Sequence, residues 1–196
     1  MIWFTADTHF GHENILKHCP QRGRCFVNIK EHDDTILEGI ASRVKKGDEL
    51  YILGDFCQKA SRAGHYRMRL PKRVHVHLIR GNHDPVSLNQ HFKNVWEQCL
   101  RRFRVGDKEH QKVYMSHYPH YSWPGSFRGT IHLYGHCHGR AENHLNEIMP
   151  GRLSMDVGLD VAHALTHRWE PFSLQDVLRF ISRSPALRYQ LEEFSL

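Results

Sequence analysis

The chain has 196 residues, 40% hydrophobic and 24% charged, which suits one domain with a buried core and excludes a disordered chain. Its 27 basic and 21 acidic residues leave a formal charge of +6, suited to an anionic ligand, and five scattered cysteines without a C-x-x-C pair argue against a disulfide framework. No apolar run approaches the roughly 20 residues of a membrane span, and "MIWFTADTHF" meets acid and histidine too early for a signal peptide, so no membrane partner and a cytoplasmic location are expected.

In chain order, "MIWFTA" predicts a first strand, and residues 29–46 predict a helix whose Ile29, Asp33, Ile36, Leu37, Ile40 and Val44 form a mostly apolar stripe. "ELYILG" and "VHVHLIRG" predict further strands. "RFRVGDKEHQKVYM" has two strand-like arms about Gly106 and Asp107, which predicts a hairpin and hence a mixed sheet. "TIHLYG" and "RLSMDVGLDV" complete the predicted strands. From Ser173, a candidate cap, a helical tail over about 173–196 is predicted, with Leu174, Val177, Leu178 and Ile181 on one face and Pro185 interrupting it. Strands alternating with helices give an α/β class in a single domain over 1–196, with no repeat or linker. Basic residues gather in "RAGHYRMRLPKR" and "RRFR", which read first as solvated faces and second as a nucleic-acid footprint.

Histidine is abundant, at 18 residues, so any single histidine motif is a weak signal. The repeated event is stronger. Five apolar runs end in metal-type donors: Asp7 and His9; Asp55; Asn82 with His83 and Asp84; His117; and His136 with His138. Residues just past the carboxyl ends of strands in an open α/β sheet share one crevice, so these donors can converge. Two aspartates, an asparagine and several imidazoles suit first-row divalent ions, and seven donors exceed what one ion requires. Two divalent ions are expected, manganese foremost, with iron, nickel or zinc as alternatives. In "GHCH", alternation along an extended segment would put His136 and His138 on one face and Cys137 on the other, and Cys57 is likewise expected to be a packing residue.

The order Asp7-x-His9, Gly54-Asp55, Gly81-Asn82-His83-Asp84, His117, Gly135-His136-x-His138 resembles the calcineurin-like metallophosphoesterase superfamily, and "ADTHFGHENI" resembles its small prokaryotic and phage-type members. The resemblance spans about two thirds of the chain. It implies a four-layer αββα sandwich with two mixed sheets and a di-metal site at one edge. It implies Asp7, His9, Asp55 and His138 on a first ion, and Asp55, Asn82, His117 and His136 on a second, with Asp55 between them. It makes His83 the acid beside the phosphate, with Asp84 as its orienting partner and Gly81 allowing a tight backbone turn. His12 and Arg80 are candidate substrate contacts, as are Arg128, Arg140 and His120, whereas Asp156, Asp160 and His163 receive no role.

The expected activity is hydrolysis of a phosphoester. A phosphodiesterase acting on a nucleotide-type or other small ester, or on a nucleic-acid end, comes first, because no insertion is available to cap the site. A phosphomonoesterase, including a protein phosphatase, a nuclease, and a non-catalytic scaffold are the alternatives.

Overall fold

The computed structural model describes residues 1–107 and 109–182. Its strands are β1 (Ile2–Thr5), β2 (Glu49–Ile52), β3 (His75–Ile79), β4 (Asn94–Trp96), β5 (Gln98–Arg104), β6 (His110–Ser116), β7 (Ile131–Tyr134), β8 (Ser154–Asp156) and β9 (Phe172–Ser173). Its helices are α1 (Ile15–His18), α2 (Pro20–Cys25), α3 (Ile29–Arg43), α4 (Ala63–Arg69), α5 (Glu142–Ile148), α6 (Leu159–Thr166) and α7 (Leu174–Ser182). The protein is α/β with two mixed sheets. One has the order β4-β3-β2-β1-β9, parallel except for β9, and the other β5-β6-β7-β8, parallel except for β5.

Because successive side chains on a strand face opposite ways, β1, β2 and β3 of the first sheet feed two cores. Trp3, Leu50, Ile52, Val76 and Leu78 pack against Ile36, Leu37 and Ile40 of α3 and Tyr66 of α4. Phe4, Tyr51, Leu53 and Ile79 face the second sheet, where they meet Phe103, Val113, Met115, Ile131, Leu133 and Met155. The contact is direct: the Phe103 ring lies 5.8 Å from Phe4 and 5.5 Å from Tyr51, both near-perpendicular. The other face of the second sheet is partly polar. There Glu142 of α5 accepts from the Tyr134 hydroxyl and pairs with Arg152 at 2.6 Å, and Trp123 packs 5.3 Å from the His132 ring.

The predicted hairpin is present as β5 and β6, and the long helix starts at Ile29, where Asn28 caps it by accepting from the Glu31 amide at 3.0 Å. It ends at Arg43 rather than 46, with Val44 already extended. "RLSMDVGLDV" is strand only over Ser154–Asp156. The Asp156 carboxylate accepts from the Gly158 amide at 2.7 Å to turn the chain into α6, so that apolar run ends in a helix from Leu159. Ser173 caps α7 as expected, its hydroxyl accepting from the Asp176 amide at 3.1 Å. The rest of the predicted tail, 183–196, lies outside the described residues. No helix among the described residues is long and apolar enough to cross a membrane.

Candidate metal centre

All five donor-bearing segments follow the carboxyl ends of strands: β1, β2 and β3 of the first sheet, β6 and β7 of the second. The loops after β1 and β2 are stitched together, with the Asp7 amide donating to the Gly54 carbonyl at 3.0 Å and the His9 amide to the Asp55 carbonyl at 2.8 Å. The second sheet joins through the His136 amide, which donates to the Asp7 carboxylate at 2.9 Å.

The seven donors fall into two neighbouring groups. Potential ligand atoms of Asp7, His9 and His138 lie within 4.8 Å of one another, and so do those of Asp55, His117 and His136. One Asp55 oxygen lies 3.7 Å from His9 Nε2 and 3.5 Å from His117 Nε2, facing both groups. Asn82 Oδ1 is 3.0 Å from the same His117 nitrogen. On the far side of that ring, His117 Nδ1 sits 2.8 Å from the Leu53 carbonyl, which fixes the ring and leaves Nε2 to the site.

Two observations mark this as more than a polar strand end. Five of the seven non-glycine residues with positive φ among the described residues are Asp7, His9, Asp55, His136 and His138, at 56°, 47°, 55°, 69° and 51°. That conformation is unfavourable for side-chain-bearing residues and concentrates where geometry serves a site. In addition, His9 Nε2 is buried without a hydrogen-bond partner, a lone pair or proton that burial leaves expensive until something binds it.

The charges agree. Burial raises the Asp7 carboxyl above its usual range, with His138 and His117 opposing. Burial also acts on Asp55, but the hydrogen bond and charge of His117, with His9 and the His83 amide, hold its carboxyl well below that range. Burial depresses His117, yet the Asp55 hydrogen bond and the charges of Asp7 and Asp55 lift it to about 9. His9 goes the other way, lowered by burial and then by Arg22 and His138. Asp7 and Asp55 thus form a buried acidic floor, while Asn82, His83 and His136 stand exposed on the rim.

His83 is brought to this rim, its ring 5.6 Å from His9, and its backbone amide donates to Asp55 at 3.0 Å. His12 joins it, with its ring 6.1 Å from His83 and its Nδ1 3.5 Å from that of His9. Asp84 is not the partner of the His83 ring. Its two oxygens accept from the backbone amides of Asp55, Phe56 and Gly81 at 2.7, 2.9 and 2.9 Å, so it clamps the β2 and β3 loops together. Arg80 is held by Glu97, the Asp84 carbonyl and Asn89 at 2.7, 3.2 and 2.9 Å. Arg140 donates to the His18 carbonyl at 2.7 Å. Gly81 is required by space rather than by an unusual φ, since a Cβ there would come within 2.3 Å of Asp55 Oδ1 and 2.5 Å of its backbone nitrogen.

Cys137 is half-buried and absent from both donor groups, and burial pushes its thiol up to about 12. Strand alternation does not set its direction: β7 ends at Tyr134, and left-handed turns at His136 and His138 orient the side chains. Cys57 is buried, as expected. Sequence reasoning missed Arg22 and left Asp160 without a role, yet both are fully buried behind the site and Asp160 Oδ2 lies 2.7 Å from His138 Nδ1. Arg22 follows no strand end, and the only signal for Asp160 was its place after the last apolar run.

No family model matches the chain. It is 26% identical over 200 residues to the Gene 66 protein of Mycobacterium phage L5, covering 88% of this chain and 92% of that protein, and 29% identical over 190 residues to the Gene 66 protein of Mycobacterium phage D29, covering 84% and 90%. The crystal structure of a protein of unknown function from Aquifex aeolicus, AQ665, shares the fold, with a TM-score of 0.67 over 91% of this chain and 98% of that one at 24% identity. The uncharacterized protein MJ1445 of Methanocaldococcus jannaschii is 30% identical over 191 residues, covering 95% of this chain and 94% of the relative, and the chain belongs to its family.

Proposed function

We propose that the protein is a binuclear-metal-dependent phosphoester hydrolase of the calcineurin-like metallophosphoesterase type, built as a four-layer αββα sandwich with its site at one edge. Its expected substrate is a phosphodiester of nucleotide type or another small phosphoester. The observation that carries this reading is the convergence of seven oxygen and imidazole donors from five strand ends of two sheets, five of them in left-handed backbone. Asp7, His9, Asp55 and His138 would hold one divalent ion, and Asp55, Asn82, His117 and His136 the other. The unpartnered Nε2 of His9 and the buried carboxylates of Asp7 and Asp55 fit such cations.

When bound, the ions supply Lewis acidity toward the phosphoryl oxygens and toward water at neutral pH. The chain supplies the rest. The Leu53 carbonyl orients His117, the exposed His83 can deliver a proton to the departing ester oxygen, and His12 beside it can meet the phosphate. The open rim, with Asn82, His83 and His136 accessible, supports a diester that continues past the site on both sides.

The test is hydrolysis of mono- and bis-aryl phosphates, nucleotides and nucleic-acid ends, using protein of measured metal content with manganese, iron, nickel or zinc added back. Two bound ions and a preference for diesters are expected. Preference for monoesters would move the protein to the phosphatases, and strong salt-sensitive cleavage of nucleic acid to the nucleases. Absence of hydrolysis from the whole panel with two ions bound would refute the reading.

A further inference from the structure

One buried cation lies behind the site and links two of the candidate donors. Arg22, in the short α2, has no exposed surface, and an arginine so placed is tolerable only when its charge and donors are matched. Its Nε donates to the two Asp160 oxygens at 3.0 and 3.2 Å, and one terminal nitrogen donates to Asp160 Oδ2 at 2.6 Å and to the Asp7 carbonyl at 2.7 Å. The other terminal nitrogen is 3.1 Å from His32 Nε2. Asp160, itself 1% exposed, then meets His138 Nδ1 at 2.7 Å. The arginine therefore touches the backbone of one donor, Asp7, and through a single carboxylate the ring of another, His138.

We propose that Arg22 and Asp160 are positioning residues for the ion assigned to Asp7, His9, Asp55 and His138. Asp160 keeps the proton of His138 on Nδ1 and turns Nε2 toward the site, while Arg22 fixes Asp160 and the Asp7 backbone relative to each other. The inference rests on the metal reading of the site. Carboxylate partners of ligating histidines set tautomer, orientation and basicity, and their loss typically weakens metal binding by 10–100-fold. The same atoms offer a rival arrangement: Cys19, His138 and Asp160 also bring three donor atoms within 4.8 Å, with Cys19 Sγ 3.4 Å from His138 Nδ1. Arg22 argues against it: the guanidinium already engages both Asp160 oxygens and would repel a second cation beside them.

The experiment is manganese titration of the full chain by calorimetry with metal analysis, on the wild type, Asp160→Asn, Asp160→Glu and Cys19→Ser. Asp160→Asn keeps size and an acceptor oxygen but loses the charge. It should bind one ion as the wild type does and the other roughly 10–100-fold more weakly. Asp160→Glu should recover part of the loss, and Cys19→Ser should leave both affinities unchanged. Wild-type affinities in Asp160→Asn, or equal weakening of both ions, would overturn the inference while leaving the metal reading standing, as would loss of an ion in Cys19→Ser. A wild type that binds no ion would remove both. Nitrogen-15 spectra of wild-type His138 with zinc bound give a check independent of any variant. Protonated Nδ1 with metal on Nε2 is expected, and metal on Nδ1 overturns the assignment.

Discussion

Replacing Asp84 by alanine removes the acceptor for three buried backbone amides at once, those of Asp55, Phe56 and Gly81, held at 2.7, 2.9 and 2.9 Å by a carboxylate only 4% exposed. Each buried amide left without a partner is destabilising by about 1–3 kcal/mol. Some of that is recovered if water enters the space left by the carboxylate, so a net loss of about 3–5 kcal/mol is expected, at the upper end for single substitutions. Against a total stability of about 5–15 kcal/mol for a domain, this is a large share. Asp84→Asn keeps one acceptor oxygen but turns an NH2 toward backbone donors, and should lose about half as much. The measurement is urea unfolding followed by circular dichroism, in chelator so that bound ions do not add their own stabilisation. If Asp84→Ala unfolds within ~0.5 kcal/mol of wild type, the size of an ordinary surface substitution, and its hydrolysis falls as it does in His83→Asn, the clamp is refuted and Asp84 orients His83 after all.

Asp55→Asn removes the negative charge facing both donor groups and should abolish metal binding and activity together; full activity with two ions retained would contradict the assignment. His83→Asn leaves every proposed ligand in place, so both ions should remain. The rate on alkyl or nucleoside esters should fall roughly 10²–10⁴-fold, about 3–5 kcal/mol of barrier at ~1.36 per tenfold. p-Nitrophenyl esters, whose leaving group departs almost unaided, should lose little; equal losses on the two esters would leave His83 a phosphate-positioning residue. Cys137→Ser should keep its metal content and most of its rate, since the thiol belongs to neither donor group, and loss of an ion would make it a ligand.

The convergence of the candidate donors was legible because each sits where a buried apolar run meets polar residues, and the ends of such runs can be read without knowing which strands pair. The β5–β6 hairpin was legible for a similar reason, its turn residues lying between two arms of strand type. Contacts made across the fold were not. Arg22 and Asp160 are 138 residues apart, and neither stands in a pattern that marks it. Asp84 shows the opposite error: adjacency to His83 suggested a contact, but neighbours in a turn need not face each other, and its carboxylate reaches back to β2. The apolar run that contains β8 was ambiguous in principle, because short buried strands and buried helices share the same composition. Left-handed backbone at Asp7, His9, Asp55, His136 and His138 has only a weak sequence signal, since glycine is the residue to expect there and aspartate and histidine are merely enriched among the exceptions.

The seven donors divide between the sheets, with Asp7, His9, Asp55 and Asn82 on one and His117, His136 and His138 on the other. The gap between them is therefore gauged by the thickness of a layer that contains none of them, where Phe4, Tyr51 and Leu53 meet Phe103, Met115 and Leu133. Trimming or enlarging one of these side chains would slide or tilt one sheet against the other, as close-packed interiors transmit changes in volume. Asp55 and His117 would then be spread or pinched without either being touched. The apolar filling works as a caliper for the polar edge, so the reach between donors can be reset from inside the sandwich.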